Sequence, residues 1–237
     1  MPNSYFQFKQ FRIEQDKCAM KVGTDGVLLG AWTNPGMAEH ILDVGTGTGL
    51  IAIMLAQRSK AMIDAIEIDK SAYLQAVENG RSSPWSDRLH FFHSSFNDFI
   101  ENSGNTYDLI ASNPPYHKET TKSPHPGREL ARHSSNLDYS AILASASKML
   151  SGNGRISIIL PASEEINSQR IASENSLFCT RHTHIVSSPG KEYSRSLLEF
   201  SVKFDSLVEE IIMLEEKGRH KYSEEYLKLT GDFYLHM

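Results

Sequence analysis

Short apolar runs alternate with helical patterns through the centre of the chain. Runs of four to eight apolar residues predict buried strands, and apolar residues spaced three or four apart predict helices. The predicted strands cover residues 41–44, 61–68, 89–93, 107–112 and 154–160, and the predicted helices cover residues 50–56, 70–80, 137–150 and 163–174. Extended runs follow near residues 178–187 and 195–204. This alternation is typical of an α/β fold with right-handed crossovers and a mostly parallel sheet.

The C-terminal region, about residues 206–237, is predicted to pack against the rest of the chain. Its first part, 206–214, fits a helix start and a strand equally well, so both remain open. Ser223 and the two glutamates after it predict a helix start, because carboxylates stabilise the positive end of a helix. One face of that helix would carry Tyr222, Tyr226, Leu229 and Phe233.

Length and composition are those of an ordinary globular protein. The chain has 237 residues, 40% of them apolar, with 24 basic and 29 acidic side chains and a formal charge of −5. We therefore expect a single domain over residues 1–237 and exclude disorder and a small disulfide scaffold. The mild acidity argues against a uniformly basic surface but allows a local basic patch.

The cysteines and histidines suggest no stabilising ion or disulfide. Cys18 and Cys179 are too few for a framework, which favours a reduced, cytoplasmic environment. No signal peptide is expected, and no apolar run approaches the roughly 20 residues of a membrane span. His182 and His184 alternate along one predicted strand and are interpreted as surface or packing residues. No metal site is expected.

A glycine loop lies between the first predicted strand of the sheet and the helix after it. It comprises Asp43, Gly45, Gly47 and Gly49 in the pattern D-x-G-x-G-x-G, at the end of a strand where open α/β sheets bind cofactors. Glu67 ends the next strand, where a carboxylate can accept hydrogen bonds from both ribose hydroxyls of an adenosine. A dinucleotide site would follow G-x-G-x-x-G instead. The pattern resembles the S-adenosylmethionine site of class I methyltransferases, with a plain glycine-rich turn as the alternative.

A second motif follows the strand at 107–112. It consists of Asn113, Pro114, Pro115 and Tyr116, and its prolines favour an extended turn that presents carbonyl groups. Asn113 Oδ1 and the Pro114 carbonyl can accept both N–H bonds of an exocyclic adenine amine, while Tyr116 stacks on the ring. These acceptors would localise the nitrogen lone pair for attack on a methyl group. A glutamine side-chain amide would fit the same geometry, and a rigid surface turn needs no substrate.

The stretch from His117 to His133 is the best candidate for contact with a substrate. It is a long loop beside the proposed catalytic turn, and with a nucleic-acid substrate its cations would bind phosphates while the target base is extruded. The candidate residues are Lys118, Lys122, Arg128, Arg132 and His133. A solvated charged loop is the alternative.

Taken together, these segments resemble the bacterial tRNA1(Val) adenine-37 N6-methyltransferase family. The similarity runs from about residue 5 to 237 and includes residues 8–11, 16–26, the glycine loop, the Asn-Pro-Pro-Tyr turn, 128–133, 222–226 and 233–235. It implies a seven-stranded class I fold with helices on both faces, S-adenosylmethionine as methyl donor, and the adenine beside the anticodon of a valine tRNA as target.

The resemblance also implies roles for residues outside the two motifs. An N-terminal segment, about residues 1–35, would cover the cofactor, with Lys21 to Thr24 over its methionine end. A simpler interpretation is that Asp25 caps a helix and the rest is a loop. Ser95 aligns with a position where the family usually has an aspartate against the cofactor's adenine, and Phe96 would offer its backbone N–H and a flat side chain.

Other functions remain open at this stage. The same fold and cofactor could serve a protein glutamine amide or another nucleic acid. A nicotinamide-dependent oxidoreductase is disfavoured by the glycine spacing. A non-catalytic RNA chaperone with an adenosine pocket is the remaining alternative, and the oligomeric state is undetermined.

Overall fold

An eight-stranded sheet forms the centre of the protein. The computed structural model describes residues 3–115 and 138–235. The strand order is β10-β8-β9-β7-β6-β3-β4-β5, and β1 and β2 form a separate two-stranded antiparallel ribbon. All neighbouring strands in the large sheet are parallel except β9, which is antiparallel to β7 and β8.

The elements follow one another in an α/β alternation. The strands are β1 Tyr5–Gln7, β2 Arg12–Glu14, β3 His40–Val44, β4 Met62–Glu67, β5 Leu89–His93, β6 Tyr107–Ser112, β7 Leu150–Pro161, β8 Phe178–Val186, β9 Tyr193–Ser201 and β10 Val208–Met213. The helices in the described ranges are α1 Thr24–Trp32, α2 Leu50–Arg58, α3 Lys70–Ser82, α4 Phe96–Ser103, α5 Tyr139–Met149, α6 Glu165–Glu174 and α7 Glu224–Thr230. Short 3-10 turns cover Ser86–Arg88 and Ala162–Glu164.

The predicted α/β fold is confirmed, but the sheet has eight strands rather than seven. The additional strand, β10, lies at the edge beside β8 and covers most of the segment whose pattern left helix and strand open. This segment forms a strand because it pairs with β8, and an edge strand gains its hydrogen bonds from a neighbour distant in sequence.

Helices cover both faces of the sheet. One core contains buried residues of α1, α2 and the C-terminal segment, and the other contains buried residues of α4, α5 and α6. Since both faces are covered, the central strands are apolar on both sides, which explains their continuous apolar runs in the sequence.

Helix α1 begins at Thr24, with Gly23 as its N-cap residue. The prediction that Asp25 caps this helix is therefore wrong. Asp25 lies in the first turn, and its Oδ2 accepts a hydrogen bond from Arg195 Nε of β9 at 2.9 Å. This carboxylate connects the helix to the sheet rather than capping it.

The two ends of the chain pack together, as the pattern of the tail predicts. Phe8 bridges to Tyr234, and Lys9 N donates to the carbonyl of Phe233 at 2.8 Å. Tyr226 and Phe233 are buried in the core that includes α1 and α2. Ser223 caps α7 by accepting from Tyr226 N.

Within residues 3–115 and 138–235, the structure contains no helix with the length and apolar character needed to cross a membrane.

Candidate functional site

The glycine loop connects the end of β3 to the start of α2. Gly45, Gly47 and Gly49 have φ angles of 73°, 57° and 84°, a left-handed region in which side chains are strained. Gly49 is the N-cap residue of α2. A Cβ atom at Gly47 would have no other atom within 4 Å, so this part of the loop faces open space. The loop therefore leaves room for a ligand beside its backbone at Gly47.

Asp43 lies buried beneath this loop. Its Oδ2 accepts hydrogen bonds from Thr46 Oγ1 at 2.6 Å and from Ala52 N at 3.1 Å. Its Oδ1 is buried and has no hydrogen-bond partner among the described residues. Burial raises the pKa of Asp43 to about 7, and the hydrogen bonds from Thr46 and Ala52 oppose this shift. Asp43 Oδ1 is therefore a hydrogen-bond acceptor that a bound ligand could use.

Glu67 supports the loop from the end of β4. Its Oε2 accepts from Gly47 N at 2.9 Å, and its Oε1 accepts from Asp69 N at 2.9 Å. Burial raises the pKa of Glu67, while these backbone donors lower it. Each carboxylate oxygen keeps a second lone pair, so Glu67 can bind the loop and still accept a hydrogen bond from a ligand.

The residues after β5 differ in part from the expectation. Ser95 is the N-cap residue of α4, where its Oγ accepts from Asp98 N at 3.1 Å and donates to Asp98 Oδ2 at 2.5 Å. The side chain of Phe96 is buried in the core under α4 and α5, which leaves little of its ring surface exposed to a purine. Its N–H belongs to the first turn of α4, where such groups lack an intrahelical partner.

The N-terminal candidates lie outside the loop itself. Lys21 is exposed, and its Nζ lies 3.4 Å from the carbonyl oxygen of Asn3. Thr24 is exposed and is the first residue of α1. Among the described residues, no contact between either side chain and the glycine loop supports the expected covering role.

Strand pairing brings Asn113 to the glycine loop. Val44 of β3 pairs with Ser112 of β6, and Ser112 Oγ donates to the carbonyl of Val44 at 2.9 Å. The next residues, Gly45 and Asn113, therefore leave the sheet side by side. The nearest amide atom of Asn113 to a Cβ built on Gly26 is Nδ2, at 3.9 Å. Gly26 therefore leaves space for the amide beside α1, because a larger residue there would bring its Cβ close to Asn113.

The remaining acceptor-site candidates are only partly described. Pro114 is buried and Pro115 is exposed. Tyr116 and the RNA candidates Lys118, Lys122, Arg128, Arg132 and His133 lie outside the described residues.

Two buried amides of α3 connect the N-terminal segment to the site. Asn79 Nδ2 donates to the carbonyls of Glu14 at 2.9 Å and Thr48 at 2.8 Å, and its Oδ1 accepts from Glu14 N at 2.8 Å. Gln75 Oε1 accepts from Lys17 N at 2.9 Å. Sequence reasoning missed both residues, although two amides spaced i,i+4 on a helix face were a visible signal.

Comparisons with known proteins identify the family. Residues 20–173 match the family model described as "Methyltransferase small domain". A Flavobacterium psychrophilum protein named tRNA1(Val) (adenine(37)-N6)-methyltransferase is 47% identical over 98% of this chain and 100% of its own length. A Bacteroides fragilis protein of the same name is 45% identical over 100% of both chains. The chain belongs to the tRNA1(Val) (adenine(37)-N6)-methyltransferase family.

Solved structures agree with the methyltransferase fold. A structure titled as a predicted O-methyltransferase from Agrobacterium tumefaciens covers 88% of this chain and 96% of its own, with a TM-score of 0.67 and 19% identity. A methyltransferase from Pyrococcus furiosus covers 79% and 90%, with a TM-score of 0.55 and 19% identity. At these identities the likeness concerns the fold alone.

The loop of this methyltransferase suits a cationic nucleoside ligand. The open space at Gly47 accommodates a ligand against the backbone, and the unpartnered Asp43 Oδ1 can accept from a donor. Burial raises the pKa of Asp43 and of Glu67, and a cationic ligand beside them would favour their ionised forms. A pyrophosphate would instead be repelled by them, so the residues fit S-adenosylmethionine better than a dinucleotide.

The histidines of β8 agree only in part with the expectation. Both lie on the sheet face toward α6, and His182, His184 and Glu165 place one ligand atom each within 4.8 Å of one another. The interpretation of these residues as surface or packing residues agrees with the burial of His182, but the sequence pattern did not show the carboxylate beside them. The first turn of α6 brings in the carboxylate, which no pattern within β8 could indicate.

Proposed function

We propose that this chain transfers the methyl group of S-adenosylmethionine to the exocyclic N6 of adenine 37 in tRNA1(Val). The observation that carries the proposal is the register of β3 and β6. It brings the glycine loop and Asn113 to adjacent positions at the carboxyl ends of these two central strands. The names of relatives that share 44–47% of their residues with the chain support the same substrate.

The glycine loop, Asp43 and Glu67 are proposed to hold the cofactor, which supplies an electrophilic methyl group when bound. Glu67 would accept hydrogen bonds from the ribose hydroxyls with its remaining lone pairs, while the loop backbone approaches the methionine part. Ser95 and the N–H of Phe96 remain candidates for the adenine edge, together with Lys21 and Thr24 at the methionine end. The positions of these residues, before and within the first turns of α1 and α4, support the proposed roles.

Asn113 and Pro114 are proposed to bind the acceptor amine. Asn113 Oδ1 and the carbonyl of Pro114 would each accept one N–H bond of N6, which orients the nitrogen lone pair toward the methyl group. Such positioning of reacting groups is worth several orders of magnitude in rate. No strong base is needed before attack, because the methylated ammonium product loses its proton readily.

The RNA-binding role of residues 117–133 is a proposal from sequence. Tyr116 would stack on the extruded adenine, and Lys118, Lys122, Arg128, Arg132 and His133 would contact phosphates of the anticodon loop. The cytoplasm is the proposed compartment, in keeping with two free cysteines and an RNA substrate.

The decisive experiment is methylation of unmodified tRNA1(Val) in vitro. Labelled S-adenosylmethionine should transfer one methyl group per tRNA, and digestion with mass spectrometry should map N6-methyladenosine to position 37. A matched tRNA with guanosine at position 37 should accept no label. Label on the guanosine-37 tRNA, or none on either, would contradict the proposed target.

A strain that lacks the gene tests the alternative acceptor, a protein glutamine amide. If a protein glutamine amide were the substrate, tRNA from a deletion strain would retain its N6-methyladenosine at position 37, whereas we expect that modification to disappear. Calorimetry with S-adenosylmethionine and with NAD separates the methyltransferase from an oxidoreductase, and we expect binding of the first only.

A further inference from the structure

A partly buried group of two imidazoles and a carboxylate lies away from the glycine loop, between β8 and the start of α6. His182 is 2% exposed, and the His184 side chain is 24% exposed. Glu165 is the first residue of α6, and its Oε2 lies 3.3 Å from His182 Nε2 and 3.4 Å from His184 Nε2.

The Nε2 atoms of the two histidines lie within ion-pair distance of Glu165 Oε2 but make no hydrogen bond within the described part of the chain. Among the described residues, His182 Nε2 and His184 Nε2 are both buried without a hydrogen-bond partner. Buried polar atoms are normally paired, so two unpaired nitrogens directed at one carboxylate require an explanation. A shared ligand would satisfy both.

Two of the three separations in the group are those expected in a tetrahedral metal site. Around Zn²⁺, with ligands at about 2.0–2.1 Å, the corners of a tetrahedron lie about 3.3 Å apart. The two nitrogen–oxygen separations match this value, and the three ligand atoms all lie within 4.8 Å of one another. The group needs little rearrangement to close on an ion.

The surroundings also suit a metal. Ser196 Oγ donates to Glu165 Oε2 at 2.9 Å, and the Tyr193 ring stacks on His184 at 4.0 Å between centroids. Such contacts fix the orientation of ligands around an ion. The partial exposure of His184 provides a route for entry.

We propose that Glu165, His182 and His184 form a binding site for a divalent transition-metal ion of the zinc class. Three protein ligands leave a fourth position for water. Imidazole with carboxylate suits Zn²⁺, and Co²⁺ as its spectroscopic substitute, better than Ca²⁺ or Mg²⁺, which prefer oxygen ligands. The ion would join the first turn of α6 to β8 and so stabilise this side of the sheet.

The test uses the full chain without a histidine tag, freed of metal by a chelator. Competition titration of Zn²⁺ against a chromophoric chelator should give one tight site per chain. Co²⁺ should produce the intense visible bands of four-coordinate cobalt, and saturating Zn²⁺ should raise the Tm.

Two variants assign the site. Glu165→Gln keeps the shape of the side chain and an acceptor for Ser196, and His184→Gln replaces the more exposed imidazole. Each should weaken Zn²⁺ binding by at least about 100-fold, since loss of a supporting contact alone costs about 10–100-fold. The control is His90→Ala, which removes a half-exposed histidine that lies 3.3 Å from Asp64. This variant should bind Zn²⁺ like the unaltered chain.

Circular dichroism would confirm that each variant is folded. The proposal is overturned if the unaltered chain binds no stoichiometric Zn²⁺ and shows no cobalt bands. It is also overturned if folded Glu165→Gln binds Zn²⁺ as tightly as the unaltered chain. The cobalt spectrum requires no substitution, so the proposal stays testable even if a variant fails to fold.

Discussion

The carboxyl group of Asp43 is buried beneath the glycine loop. Its Thr46 and Ala52 donors occupy one oxygen, and the other is unpartnered within the described part of the chain. A buried carboxylate without full compensation favours its protonated form, which explains a pKa near neutrality.

The stability contributed by Asp43 should fall as pH rises. Burial raises its pKa from 3.8 to about 7. The folded state therefore binds this proton more tightly than the unfolded state, and the benefit present below pH 4 is lost by about pH 8. Relative to Asp43→Asn, the ligand-free protein should lose up to about 4 kcal/mol of stability over this range, at about 1.4 kcal/mol per pKa unit.

Urea unfolding of both proteins between pH 4 and pH 8 measures this difference. The asparagine variant is the control because it keeps the acceptor for Thr46 and Ala52 and does not titrate. A difference in unfolding free energy that stays constant with pH would show that Asp43 is ionised throughout.

Asn113 should affect turnover far more than cofactor binding. Replacing Asn113 with Ala removes a proposed acceptor for the substrate amine but no group of the glycine loop. We expect the rate of methyl transfer to fall by about 100-fold or more, comparable to the loss of one preorganised polar contact. The Kd for S-adenosylmethionine, measured by calorimetry on the same protein, should stay within about twofold, because no proposed cofactor contact is lost. An unchanged rate would remove Asn113 from the mechanism.

At the scale of secondary-structure elements, α3 connects the N-terminal ribbon of β1 and β2 to the glycine loop. Asn79 contacts β2 through Glu14 and the glycine loop through Thr48. One side chain therefore connects three segments that are distant in sequence. The amide contacts of Asn79 hold the N-terminal segment beside the glycine loop.

The substitution Asn79→Ala should destabilise the protein by about 3 kcal/mol, because it leaves buried backbone groups of Glu14 and Thr48 without their partner. It should also weaken binding of S-adenosylmethionine, since the loop loses a support. The matched control is Asn102→Ala, in which an exposed amide loses a bond to the carbonyl of Asp98. Its cost should stay within about 0.5 kcal/mol. Equal losses in denaturant unfolding would contradict the bridging role.

Sequence reasoning at this scale succeeded where patterns were long and failed where they were short. Helix α4 was missed, although Ser95 and Asp98 have the spacing of a helix start. Its apolar residues Phe96, Phe99 and Ile100 are spaced i, i+3 and i+4, so the helical signal was present but covers little more than one turn. Residues 208–213 became a strand because β8 offered them an edge, a partner that local periodicity cannot specify.

At the scale of the whole molecule, the chain ends meet on the face of the sheet covered by α1 and α2. Phe233 is buried there, and the rings of Phe8 and Tyr234 stack at 5.8 Å between centroids. The C-terminal segment thereby supports the N-terminal segment, which in turn contacts the glycine loop through α3.

Shortening Phe233 to Ala should cost about 3–5 kcal/mol of unfolding free energy, the usual range for emptying a buried aromatic position. Leu235→Ala alters a side chain that is 45% exposed and should cost much less. Thermal and urea unfolding of both variants measure the contrast. A cost for Phe233→Ala no larger than that for Leu235→Ala would show that the tail does not stabilise the core.

The sequence by itself determined the elements whose signals are local. The D-x-G-x-G-x-G loop and the Asn-Pro-Pro turn follow from backbone preferences of glycine and proline, and the α/β alternation follows from hydrophobic periodicity. These features also carried the resemblance to the methyltransferase family. They depend on neighbouring residues only, so a single sequence was enough.

The tertiary structure decided which of these features meet. The register that pairs Val44 with Ser112, the burial of Phe96, the amide contacts of Asn79 and the grouping of Glu165 with His182 and His184 all join residues far apart in the chain. Each depends on how strands pair and how helices pack on them. Local propensity does not encode such partners, because the free energy that selects them is gained only when the whole sheet forms.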